Sequence, residues 1–89
     1  MSLYLTLVID MTLDQIIIAA HAELQRAKEI HPERDQMDIV HRVAIVGEEA
    51  GEALQAANDV RWLDGNIKDV EDELIQTMAT CMRVLEWID

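Results

Sequence analysis

Glu48, Glu49 and Glu52 fall within five residues of one helical pattern, and Glu73 with Gln76 falls on the next. Like charges at i,i+3 and i,i+4 spacings repel on a helix surface, by roughly a few tenths of a kcal/mol per pair. A divalent cation is the obvious compensation. Glu49 and Glu52 stand about 60° apart around a helix, so both carboxylates reach one point beside the apolar stripe. Glu73 and Gln76 repeat that spacing. An antiparallel pair, which a short connection implies, brings four oxygen-bearing side chains together across the seam. Hard oxygen ligands of this kind suit magnesium or manganese rather than zinc or copper. The plain alternative is a solvated acidic face.

Three helices are expected to position these groups. Thr12 and Gln15 form a capping-box signature, followed by Leu13, Ile16, Ile17, Ala20, Leu24 and Ala27 on one face. The first helix should run to about Ile30 and end at His31-Pro32, since proline disfavours helical geometry in the residue before it. Asp35 is a candidate cap for the second, whose expected inward stripe is Val40, Val43, Ala44, Gly47, Ala50, Gly51, Leu54 and Ala57, ending near Trp62. Each glycine costs up to ~1 kcal/mol against alanine. Gly47, Ala50 and Gly51 therefore predict the close approach of another helix. Asp64-Gly65-Asn66 reads as a turn and N-cap, and Asp69, Glu71, Asp72 and Glu73 complement the dipole of the third helix, a second explanation for that acidic run. From Leu74 onward this helix is apolar nearly all round, through Ile75, Met78, Ala79, Cys81, Met82, Val84, Leu85, Trp87 and Ile88. Such a helix needs neighbours on more than one side.

The fold expected is all-α: a helical hairpin bundle with three main helices per chain, completed by oligomerisation as a homodimer or a dimer of dimers. Eighty-nine residues make one domain, placed at 12–89, and a chain this short buries only roughly 60% of its unfolded surface. Residues 1–11 are an N-terminal extension, with Met11 as an alternative start; Leu3 to Ile9 suit either an extended arm or an added helical turn. The formal net charge of -11 argues against nucleic acid and anionic membranes as partners and in favour of cations. No apolar run approaches the ~20 residues that span a bilayer. Cys81 is the sole cysteine, expected as a buried, inert thiol in a reducing cytoplasm. The first ten residues lack a basic segment and a cleavage site, so no secretory signal is expected.

The stretch Glu48-Glu49-Ala50-Gly51-Glu52 resembles the EExxE motif of the MazG-like, all-α nucleoside triphosphate pyrophosphohydrolases. After twenty intervening residues (53–72), Glu73-Leu74-Ile75-Gln76 stands where that family has ExxD. The resemblance spans about 12–89 and implies hydrolysis of a nucleoside or deoxynucleoside triphosphate to the monophosphate and pyrophosphate. It implies Glu49, Glu52, Glu73 and Gln76 as magnesium ligands, with manganese as an alternative ion, and gives Glu48 or a water on the metal the part of supplying the nucleophile. The departure is Gln76, a neutral amide in place of aspartate. It implies either weaker metal binding or a ligand shell completed by the incoming triphosphate. Phage-type relatives share this ELxQ form. The competing reading is a MazG-like module for nucleotide binding or protein interaction, its turnover removed by Gln76 and a shortened C-terminus.

Arg61, Lys68 and Arg83 are candidate phosphate contacts, with surface charge balance as the alternative and the one favoured for Lys68; the substrate-binding set is Arg61, Arg83 and Trp62. Trp62 suits either stacking on a base or capping the hairpin end, the latter favoured. His21, His31 and His41 lack paired ligand spacing, and with no Glu-x-x-His a ferritin-like di-iron centre is disfavoured. His41 is assigned a surface or interhelical role. There is no Gly-rich phosphate loop, Ser/His/Asp constellation or zinc pattern.

Overall fold

A computed structural model describes residues 11–88, so the expectations for residues 1–10 lie outside the described residues. Helix α1 spans Leu13–Ile30, a five-residue 3-10 helix spans Pro32–Gln36, α2 spans Ile39–Trp62 and α3 spans Ile67–Ile88. The class is all-α, with no strand among the described residues. Helix α3 packs along α2 as an antiparallel hairpin and along α1 on its other side, so it is the central element.

The capping box forms as expected: Thr12 Oγ1 accepts from Gln15 N–H at 3.1 Å, and Gln15 Oε1 accepts from the Thr12 N–H at 2.8 Å. Helix α1 stops before Pro32, whose ring begins the 3-10 turn. The cap of α2 is Asp38, not Asp35; its carboxylate accepts from the His41 N–H at 2.9 Å. Asp35 instead lies inside the 3-10 turn, where two buried arginines meet it. Arg42 donates to the carbonyls of Met37 and Asp35 at 2.8 and 2.7 Å, and its guanidinium carbon lies 4.1 Å from the centroid of Trp87. Arg83 donates to the carbonyls of Ala27 and His31 at 3.2 and 2.9 Å and to Asp35 Oδ1 at 3.0 Å. A helix C-terminus leaves its last carbonyls without partners. Here the carbonyls of Ala27 and His31 already accept from the N–H groups of His31 and Arg34 at 2.8 and 3.2 Å, so Arg83 adds a second donor to each and locks the corner between α1 and α2 onto α3.

The turn between α2 and α3 takes its positive φ at Asp64 (63°), not at the glycine. Gly65 serves close approach: a Cβ there would come within 2.9 Å of the Asp59 backbone. Asn66 then caps α3, its side-chain oxygen accepting from Lys68 N–H at 2.8 Å.

The buried apolar residues are Ala20, Leu24, Ala53, Ala79 and Val84. Three alanines among five let the helices approach closely, and they leave a thin core. The inward face of α2 carries Arg42, Ile45, Val46, Glu49, Ala53, Ala56 and Val60, not the expected stripe: Val40, Val43 and Leu54 are more than half exposed, and Ala44, Gly47, Ala50, Gly51 and Ala57 are exposed with them. The expected close approach is not made among the described residues, for nothing lies within 4 Å of a Cβ at Gly47 or Gly51. In α1, Ala20 and Leu24 turn inward while Leu13 and Ile17 stay exposed. Cys81 is half-buried rather than buried.

Candidate metal centre

Helix geometry places Glu49 and Glu52 one turn apart on α2, and the antiparallel register sets Glu73 of α3 opposite them. Buried Ala53, beside Glu52, is small enough for α3 to lie close. On α3, the Thr77 and Thr80 hydroxyls donate to the carbonyls of Glu73 and Gln76 at 2.8 and 2.7 Å, absorbing their own polarity within the helix. One carboxylate oxygen each from Glu49, Glu52 and Glu73 can be chosen so that all three lie within 4.8 Å of one another. Ligands on opposite sides of one magnesium ion lie about 4.2 Å apart, at about 2.1 Å from the metal. A small side-chain adjustment closes that difference.

The oxygens Glu49 Oε2 and Glu73 Oε2 are buried with no hydrogen-bond partner. Leaving a buried acceptor unmade costs about 1–3 kcal/mol, more when it is charged. Burial pushes the Glu49 carboxyl above its usual range, with the Glu52 charge adding to it and Arg34 opposing. Burial likewise raises Glu73, followed by a hydrogen bond shared with Glu52 and by the charges of Glu52 and Glu49. Three carboxylates with two orphaned oxygens fit a divalent cation, which would satisfy the oxygens and cancel the repulsion together.

Two cavities flank the cluster. Toward the α2–α3 turn, a groove of about 450 Å³ is lined by Glu52, Asp59, Asp69, Asp72, Glu73 and Gln76, with Gln55, Ala56 and Gly65. Toward α1, a pocket of about 130 Å³ is lined by Glu49 and Gln76 together with Glu23, Arg26, Ala27, His31, Arg34, Ala79 and Thr80. Gln76 borders both.

Of the residues singled out in the sequence, Glu49, Glu52, Glu73 and Gln76 come together. Glu48 stays on the exposed surface of α2, flanking the cluster; its charge reaches Glu49. Arg83 is 6% exposed and occupied with the α1 corner. Arg61 stacks over its neighbour Trp62, 4.6 Å from the ring centroid, at the exposed end of α2, and neither residue lines a cavity beside the cluster. Lys68 pairs with Glu71 and Asp72 at 3.2 and 2.6 Å, in keeping with charge balance. His41 is exposed, its Nδ1 2.9 Å from Asp38 Oδ1. Arg26 and Arg34 escaped notice. Arg34 belongs to a segment after Pro32 with no periodicity to assign it a face, and only the packing of α1 against α3 brings it near Glu49.

The chain matches no family model, no curated protein and no solved structure.

Proposed function

We propose that this chain is a magnesium-dependent pyrophosphohydrolase of nucleoside or deoxynucleoside triphosphates, as its resemblance to the MazG-like enzymes implies. The observation that carries the reading is the convergence of Glu49, Glu52 and Glu73 across the α2–α3 seam, with two buried oxygens lacking partners. A bound magnesium ion would neutralise triphosphate charge and make the phosphorus centre more electrophilic. Glu49, Glu52 and Glu73 hold that charge in place, and the Gln76 amide offers a neutral oxygen beside them. Glu48, exposed and within electrostatic reach of Glu49, is the candidate acceptor for the proton of the attacking water. The water oxygen bonds to the α-phosphorus as the bridging bond to the β-phosphate breaks, giving the monophosphate and pyrophosphate.

The working unit in this reading is a homo-oligomer, a dimer or a dimer of dimers, in a cytoplasmic setting. Its support is the thin core and the bare apolar face of α2, where Val40, Val43 and Leu54 surround Gly47 and Gly51. The test is a panel of ribo- and deoxyribonucleoside triphosphates assayed for magnesium-dependent pyrophosphate release, with Glu52→Gln as control. Release from at least one substrate, lost in the variant, is expected. Saturable magnesium binding without release from any of them would favour a non-catalytic nucleotide-binding module, and absence of both would leave only an acidic helical surface.

A further inference from the structure

The two cavities beside the carboxylates differ in charge: one is acidic throughout, and the other also holds arginines. The larger groove is lined by five carboxylates, Glu52, Asp59, Asp69, Asp72 and Glu73, and by no lysine or arginine. Phosphate oxygens there would face like charge at short range. The smaller pocket is lined by Arg34 and by Arg26 with its partner Glu23, together with Glu49 and Gln76.

The chain has seven lysines and arginines, and six have partners. Arg26 forks onto Glu23 at 2.6 and 2.9 Å, Lys28 pairs with Glu86 at 2.9 Å, and Lys68 pairs with Glu71 and Asp72. Arg42 and Arg83 hold main-chain carbonyls, and Arg61 stacks on Trp62. Arg34 differs: among the described residues it is the one basic side chain with no side-chain hydrogen bond, ion pair or ring contact, although it is partly buried. It faces Glu49 across the pocket without forming an ion pair, near enough to oppose the rise in that carboxyl's proton affinity. A guanidinium that lines a pocket and has no protein partner keeps its donors available to an anion.

We propose that Arg34, supported at the pocket rim by Arg26, is the phosphate-binding half of the site, so that the polyphosphate of the substrate lies between Arg34 and the cation on Glu49. Given the functional reading above, on which its assignment to a substrate rests, this fixes the direction of approach. The phosphates enter from the α1 side, and the acidic groove toward the turn is left to cations. Arg34 is a positioning residue for charge, and its planar fork matches a phosphate edge in a way that a lysine ammonium does not.

The test uses the full chain, with inorganic pyrophosphate as the anionic probe and manganese as the cation, followed separately by calorimetry and by paramagnetic resonance. Arg34→Gln should leave manganese binding intact or slightly tighter, because a positive charge beside Glu49 has gone. It should weaken pyrophosphate binding to the manganese-loaded protein by about tenfold to a hundredfold, the worth of charged hydrogen bonds. Arg34→Lys should recover part of that loss, and thermal melts of both variants should match the unsubstituted protein. Unchanged pyrophosphate affinity in Arg34→Gln overturns the proposal, as does failure of pyrophosphate to bind the unsubstituted protein with or without cation. Pyrophosphate bound by a protein that takes up no manganese, and lost in Arg34→Gln, would sustain the anion pocket while removing the metal reading of the carboxylates.

Discussion

Both faces of helix α2 carry apolar residues, and the inner one alone mixes them with withdrawn charged groups, which is not what hydrophobic patterning leads one to expect. The inner face carries Arg42 and Glu49 among Ile45, Val46, Ala53, Ala56 and Val60, and the face turned to solvent carries Val40, Val43, Ala44, Gly47, Gly51 and Leu54. A helix normally buries its apolar stripe in its own chain. Here the inner face encloses unpaired carboxylate oxygens, and among the described residues the apolar outer face stays exposed, with nothing within 4 Å of a Cβ at Gly47 or Gly51. The contrast assigns chemistry to one side and assembly to the other, so substitutions on the two faces should give separable outcomes.

The largest effect is expected on the outer face. Val43→Asp should dissociate the proposed oligomer, since an unpaired charge buried in an apolar contact costs about 3–5 kcal/mol. Light scattering should show the variant nearer the 10.1 kDa of one chain than the unsubstituted protein. Its melting temperature should fall too, because five small or medium apolar residues make a poor core. A folded single-chain mass for the unsubstituted protein at micromolar concentration would end the assembly half of the contrast.

On the inner face, Glu49→Gln and Glu73→Gln should each lower magnesium-dependent pyrophosphate release by more than about a hundredfold, as expected for the loss of a ligand that places charge at the reacting group, and leave the assembly mass unchanged. Without metal the variants should be as stable as the parent or more so, by roughly 0.5 kcal/mol for relieved repulsion. Unfolding of both variants would mean that the carboxylates serve the fold.

The pH dependence sharpens the same point. Glu49 and Glu73 have raised carboxyl pKa values in the folded state, so the folded chain binds protons more readily there than the unfolded chain does. Their ionisation therefore destabilises the metal-free protein above the raised values, and the penalty fades as pH falls through them. Metal-free melts should rise on acidification from neutrality toward the upper edge of the carboxylate range. Saturating magnesium should raise the melting temperature at neutral pH and flatten that dependence. A metal-free melting curve that falls steadily over the same interval would show that the cluster is not strained.

The ends of α1, the end of α2 and the carboxylate constellation were legible in the sequence because they rest on local chemistry, whereas the cap of α2 was not. Thr12 with Gln15, the stop at Pro32 and the 3- and 4-residue spacings of glutamate are all readable within one turn. The facing of α2 was not. Periodicity identifies an apolar stripe but does not say whether the chain's own helices or another copy will cover it. The parts played by Arg42 and Arg83 were illegible for a related reason: Arg42 bonds carbonyls of the irregular 35–37 segment, which has no periodicity to read, and Arg83 bonds carbonyls at the end of α1, which only tertiary packing brings to it. The same packing turned Asp35 from an expected cap into the carboxylate that Arg83 grips.

The smallest expected effect belongs to Gln76, which borders both cavities and so bears on how the inner face divides its work. Gln76→Asp adds a fourth carboxylate to a cluster that already holds three, and hard-cation affinity rises with the number of charged oxygen ligands. Magnesium should bind the nucleotide-free variant several-fold more tightly, as read by calorimetric titration. The added charge also faces the arginine-lined pocket, where it would compete with phosphate for Arg34. Pyrophosphate affinity should therefore fall, or rise by less than the gain in magnesium affinity would bring. A variant that binds magnesium no better than the parent would place the Gln76 side chain outside the coordination sphere, leaving Glu49, Glu52 and Glu73 as the complete ligand set from this chain.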